Sequence, residues 1–159
     1  MLSNLVMREL DAEITAVANC AGLTYTRYSD DMTFSTRDGF CRTKAVDLVN
    51  TVSSLLRSAS FHPQEHKTVI VPPGARKVVL GLVVDGAKPR LQREFRDNLR
   101  QHLYYLRKFG PIEHMRRRDF ETVQGMRHHI RGLIDFARMV DVPYAEAMFK
   151  HFNAIDWPV

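Results

Sequence analysis

Two adjacent carboxylates, Asp30 and Asp31, close the run Tyr28-Ser29-Asp30-Asp31. Like charges that near each other resist joint ionisation, and a divalent cation beside them reverses the penalty. Hard oxygen donors on a rigid turn suit Mg²⁺ or Mn²⁺, and an ion so held supports in-line displacement at phosphorus. An Asp-Asp pair alone is equally at home in a solvated turn, so its surroundings decide. Leu23 to Arg27 and Met32 to Thr36 are short runs rich in Thr, Tyr and Phe, which is strand composition. The acids are therefore expected at the tip of a β-hairpin.

The elements that must carry this hairpin follow from hydrophobic spacing. Leu5, Val6, Leu10, Ile14, Val17 and Ala21 recur at helical steps, which predicts a helix over 3–21 with Ser3 as N-cap and Gly22 as its stop. Residues 43–59 read as a second amphipathic helix. Thr68 to Val71 and Val78 to Val84 read as strands separated by Pro72-Pro73-Gly74, and Asp85-Gly86 marks a further turn. From Leu91 the pattern is helical, interrupted by an expected stop at Gly110-Pro111, with further helices near 119–139 and 143–152. The expected fold class is α+β, strands and packing helices over residues 1–89 followed by an all-helical portion over 90–159.

Charge is distributed unevenly over the 159 residues, whose formal net charge is +5. Residues 1–89 hold 10 Lys or Arg against 9 acids, residues 90–132 hold 11 against 5, and residues 133–159 hold 2 against 4. In the basic segment one helix separates its residues into two arcs. Leu91, Phe95, Leu99, Leu103 and Leu106 form the apolar arc, and Arg93, Arg96, Arg100 and Arg107 the other. An arginine stripe points to a polyanion, most simply nucleic acid, with a solvated helix face as the plain alternative. Arg116, Arg117 and Arg118 are expected as a loop-like basic run. Cys20 and Cys41 fall in no zinc or redox spacing, and the seven histidines show no ligand pattern. His128 and His129 adjoin on different helix flanks, and His62 and His66 precede a strand. Charged residues in the first 20 positions argue against a signal peptide or membrane span, so a cytoplasmic protein with no membrane partner is expected.

The string Tyr25-Thr26-Arg27-Tyr28-Ser29-Asp30-Asp31-Met32-Thr33-Phe34-Ser35 resembles the Tyr-x-Asp-Asp hairpin of reverse transcriptases, and its flanks resemble the bacterial retron branch. Leu2-Ser3-Asn4-Leu5 resembles the opening of the helix before that hairpin. Phe61 to Thr68 resembles the family's next motif, and Leu80 to Val84 the strand supporting the primer end. Gly125 to Phe136, Phe152 and Trp157 resemble the thumb's last helices. Departures are Ser29 where Ala is commoner, Ser60-Phe61 and Gln64 for the family's Gly-Phe and Asn, and Val79-Leu80-Gly81 for Val-Thr-Gly.

The resemblance implies a palm portion over 1–89, a thumb over 90–159, and RNA-directed DNA synthesis. It implies Mg²⁺ (or Mn²⁺) on Asp30 and Asp31, with Lys67 near the triphosphate as a proton donor to pyrophosphate. Tyr28, Leu80 and Gly81 would lie at the primer, and Arg93, Arg96, Arg100, Arg107, Arg116, Arg117 and Arg118 on nucleic acid. Partners would be a structured non-coding RNA, an RNA/DNA hybrid and deoxynucleoside triphosphates, in a bacterial anti-phage role with a defence effector. The family draws another metal-binding aspartate and its fingers from sequence before the position of Met1. A fragment, an alternative start, or one half of a split enzyme completed by another chain is the expectation, inactive alone in each case. The rival is a non-catalytic nucleic-acid-binding module. A metal-dependent nuclease would need more clustered acids or a His base.

Overall fold

The structure, a computed structural model, describes residues 2–37 and 39–158. It is a mixture of helices and two small sheets, α+β as expected, and divides into two compact units, Met1–Ala75 and Arg76–Val159.

The first unit sets two long helices against a two-stranded ribbon. Helices α1 (Leu2–Val6) and α2 (Arg8–Cys20) replace the single helix expected over 3–21, with Met7 as the joint, and Ser3 lies within α1 rather than capping it. Helix α2 ends where Gly22 turns left-handed, φ 70°, letting Leu23 N–H reach Ala18 O at 2.9 Å and Gly22 N–H reach Asn19 O at 3.0 Å. Strands β1 (Thr24–Tyr28) and β2 (Asp31–Ser35) then pair antiparallel, Tyr25 opposite Phe34 and Tyr28 opposite Asp31. Helix α3 (Arg42–Ser58) closes the layer. Met7, Leu10, Ile14, Leu48, Val52 and Leu56 form the core, and Tyr25, Met32 and Phe34 pack on it from the ribbon. Tyr25 and Phe34 stack with centroids 5.1 Å apart. Beyond α3 lies a 3₁₀ turn, Glu65–Lys67. Thr68 to Val71, expected as a strand, pairs with no strand among the described residues.

The second unit is a helical bundle with a small sheet of order β3-β4-β5: β3 (Val78–Val79), β4 (Leu82–Val83) and β5 (Arg90–Leu91). The apolar run 78–84 is thus a hairpin and not one strand. Leu80 (φ 49°) and Gly81 (φ 79°) form its two-residue loop, and positive φ at both positions is the type I′ pattern. Helix α4 (Arg93–Arg117) is interrupted at Gly110-Pro111, where the stop was expected, and helical turns resume directly after it. Gly110, at φ 78° and ψ 166°, breaks it in a backbone region open essentially to glycine alone, and Pro111 starts the next turns. Arg116 and Arg117 are consequently helical, not loop residues.

Helix α5 (Val123–Val140) is capped by Thr122, whose hydroxyl accepts from Gly125 N–H at 3.0 Å, and α6 (Val142–Asn153) by Asp141, which accepts from Tyr144 N–H at 3.1 Å. Leu99, Leu103, Leu106, Met126, Ile130, Ile134, Ala145 and Phe152 fill the core. Leu82 and Leu91 join that core, so the short sheet belongs with the helices. The compact units accordingly part at Ala75/Arg76, ahead of the compositional join expected at 89/90.

Candidate functional site

Ser29 and Asp30 are the two residues between the paired ends Tyr28 and Asp31, so the twin acids occupy the apex of the ribbon. Ser29 holds φ at 56°, which a two-residue hairpin loop requires at its first position. Both carboxylates are exposed, and neither meets a salt-bridge partner among the described residues. Two oxygen donors on a fixed turn, open to solvent and with no cation already paired to them, fit part of a divalent-ion shell. The described residues add no third ligand, since no group of three or more His, Cys, Asp or Glu among them could hold a metal ion.

Alternation along β1 turns Tyr25 and Arg27 toward the helices and Thr26 and Tyr28 outward, with Tyr28 69% exposed beside the tip. The inward Arg27, its side chain only 7% exposed, forks onto Asp11: Nε to Oδ1 at 2.8 Å and Nη2 to Oδ2 at 2.6 Å. Nη1 donates to Ser3 Oγ at 3.2 Å and to the carbonyl of Ser29, and Nη2 also reaches Asn4 Oδ1 at 3.2 Å. Tyr25 Oη donates to Asp11 Oδ1 at 2.8 Å, and Ser3 Oγ to Ser29 O at 3.2 Å. The Arg27 hydrogen bond holds the Asp11 carboxyl below its usual range, against its own desolvation. Burial, then the bond to Asp11, pushes the Tyr25 phenol up.

Sequence reasoning left Tyr25, Arg27 and Asp11 without roles. A signal was present nonetheless. Period-2 alternation puts Arg27 on the same face as Tyr25, and an inward arginine needs a carboxylate from the neighbouring element.

Lys67 is exposed on the 3₁₀ turn, and Leu80 and Gly81 form the β3–β4 loop. The arginines of α4 divide. Arg93, Arg100 and Arg107 are exposed, the first two sharing Asp97 at 3.4 and 3.2 Å. Arg96 is engaged within the fold: it pairs with Asp141 at 2.6 Å, lies 4.8 Å over the Tyr144 ring, and its carbonyl accepts from Tyr144 Oη at 3.1 Å. Arg117 bonds Glu113 at 2.8 Å and stacks 4.4 Å over Phe109, Arg118 reaches Gln101 at 3.4 Å, and Arg116 is exposed. The histidines hold a surprise of a structural kind. His102 and His114 are buried with Nδ1 and Nε2 2.9 Å apart, and His129 lies 6.2 Å from His102 between centroids. Burial, with His114 and Arg118 adding to it, lowers His102 to about 4.

No helix among the described residues is long and apolar enough to cross a membrane. No family model matches the chain. It is similar to the retron Ec86 reverse transcriptase of Escherichia coli, 32% identical over 117 residues, 72% of this chain and 36% of that protein. The retron Mx65 reverse transcriptase of Myxococcus xanthus is 30% identical over 150 residues, 94% of this chain and 31% of that protein. The retron Mx162 reverse transcriptase of the same organism is 26% identical over 167 residues, covering 98% and 33%. The chain spans about a third of the length of these curated relatives.

Proposed function

This chain belongs with the retron-type reverse transcriptases, and from that kinship we propose that it supplies the metal-binding hairpin and the thumb of an RNA-directed DNA polymerase. The observation that carries the reading is the apex: Asp30 and Asp31 stand side by side on a two-residue turn, exposed and free of cationic partners among the described residues. Bound there, Mg²⁺ or Mn²⁺ supplies activation of the primer 3′-hydroxyl and neutralisation of triphosphate charge. In this reading Asp30 is the direct ligand and Asp31 the second. Tyr28 flanks the primer terminus, and Lys67 protonates the departing pyrophosphate. The Leu80-Gly81 turn supports the primer strand, and the exposed arginines of α4 hold the phosphates of an RNA/DNA hybrid, positioning it without reading its sequence. The template is a structured non-coding RNA, the substrates are deoxynucleoside triphosphates, and the setting is anti-phage defence in a bacterial cytoplasm, with an effector as partner.

Two acids make an incomplete site, so we place the remaining carboxylate in sequence other than these 159 residues, on the same polypeptide or on another chain. Primer extension tests this directly. The 159-residue chain with Mg²⁺ should give no product, and robust synthesis by it would overturn that part of the reading. In the complete enzyme, Asp30→Ala should lower synthesis by at least roughly 10³-fold while leaving hybrid affinity within about twofold, since the loss falls on transition-state charge and not on duplex binding. The absence of a third acid among the described residues also favours a second reading, a nucleic-acid-binding scaffold. For a scaffold, Asp30→Ala and Asp31→Ala would change neither synthesis nor any cellular phenotype.

A further inference from the structure

A guanidinium has five N–H donors, and Arg27 spends one on each of five acceptors: two oxygens of Asp11, Ser3 Oγ, Asn4 Oδ1 and the Ser29 carbonyl. No donor is left for a phosphate or a nucleotide, so this arginine, close in sequence to the acids, does not bind substrate. What it does hold is the peptide that joins Ser29 to Asp30. That carbonyl accepts from both Arg27 Nη1 and Ser3 Oγ, at the residue whose φ of 56° an L side chain seldom adopts. Left to itself, a serine there would relax toward negative φ and re-aim the next side chain. The second half of the arrangement is electrostatic. A bare guanidinium one peptide from Asp30 would repel a divalent cation, and the bidentate Asp11 carboxylate, itself steadied by Tyr25 Oη at 2.8 Å, cancels that charge.

We propose that Arg27 and Asp11 form a positioning clamp for the Asp30–Asp31 turn, fixing where the carboxylates point while keeping the nearby cationic charge off the metal. The inference rests on reading the two acids as metal ligands, and outer partners of metal ligands commonly change affinity by ~10–100-fold when removed.

The test uses the complete polymerase and titrates Mn²⁺ by its paramagnetic resonance signal, beside primer extension against metal concentration and a thermal melt. Arg27→Lys keeps the charge but loses the fork. Asp11→Asn keeps the shape but exposes the guanidinium. Both should raise the half-saturating Mn²⁺ concentration about tenfold, with much of the extension rate recovered at saturating metal. A merely structural Arg27 would lower the melting temperature and leave the Mn²⁺ midpoint where it was, and that result overturns the clamp. If Arg27→Lys does not fold, Asp11→Asn alone decides, on the same midpoint. Asp30→Ala separates the two layers of argument. If it abolishes Mn²⁺ binding while both clamp variants titrate like the parent, only the clamp falls. If it leaves Mn²⁺ binding intact, the metal reading falls and the clamp falls with it.

Discussion

Four residues other than glycine hold positive φ among those described: Ser29 (56°), Ser60 (65°), Leu80 (49°) and Asp119 (52°). Each Cβ crowds its own backbone there, at a cost glycine avoids. Ser60 is the informative one. It ends α3 as Gly22 ends α2, with Phe61 N–H on Leu56 O at 2.8 Å and Ser60 N–H on Arg57 O at 3.0 Å. The Gly-Phe of the family at Ser60-Phe61 therefore has a backbone reason: the position after the helix is left-handed. Ser60→Gly should stabilise the chain by about 0.5–1 kcal/mol, read as a higher denaturant midpoint at unchanged slope. A lower midpoint would mean that Ser60 has a compensating role in the cap. At this scale the sequence revealed the acids but not their support. Asp30 and Asp31 announce themselves as a string, whereas the tie from Arg27 to Asp11 exists only once a strand face meets a helix face.

Helices were legible element by element because their apolar spacing is long and redundant, and α3, α5 and α6 fall close to their expected spans. The short strands were not. Thr68 to Val71 has strand composition but no partner strand among the described residues, and composition cannot supply one. Leucine is no turn signal, so the hairpin at Leu80-Gly81 was hidden inside an apolar run. Histidine spacing was silent for the same reason, since His102 and His114 meet only across the break at Gly110. That meeting makes the helical unit acid-sensitive. With Nδ1 and Nε2 2.9 Å apart, one nitrogen must donate and the other accept, and a second proton has no place. The folded His102 titrates at about 4 against an ordinary 6.5, held down by burial first and then by His114, Arg118 and His129. Between those values the unfolded chain takes up a proton that the fold refuses, so stability is full above about pH 6.5 and declines as pH falls toward 4. The loss should reach about 1–3 kcal/mol, seen as a lower melting temperature at acid pH. A His102→Leu/His114→Met variant should flatten the dependence in that window. Asp11, held below its ordinary 3.8 chiefly by Arg27, would contribute its own loss only at lower pH. A melting temperature constant down to pH 4 would show that the pair titrates normally.

Over the whole chain, the concentration of positive charge in residues 90–132 was plain from the sequence, and the arginine arc was placed on the correct helix. Which arginines remain available was not, because a helical wheel knows nothing of the helix packed beside it. Arg96 was grouped with Arg93, Arg100 and Arg107, yet it braces α4 to α6 through Asp141 and Tyr144. The others are exposed: Arg93 and Arg100 share Asp97 on their own helix, and Arg100 also lies 5.6 Å from the centroid of the Tyr144 ring on α6, contacts with which an incoming phosphate can compete. The four should therefore behave as two classes when hybrid binding is followed by fluorescence anisotropy over a series of salt concentrations. Arg93→Ala, Arg100→Ala and Arg107→Ala should each weaken binding and reduce the slope of log K against log salt by roughly one, as expected when one fewer phosphate is neutralised. Arg96→Ala should instead cost stability, about 1 kcal/mol for a half-exposed charged pair with a cation–π interaction, and reduce the slope by clearly less than one. Equal slope changes at all four positions would mean that Arg96 leaves Asp141 on binding and that the arc acts as a single phosphate-gripping face. Unchanged slopes at Arg93, Arg100 and Arg107 would remove nucleic acid from that face altogether, and the basic stripe would then be what the plain alternative held it to be, a solvated side of α4.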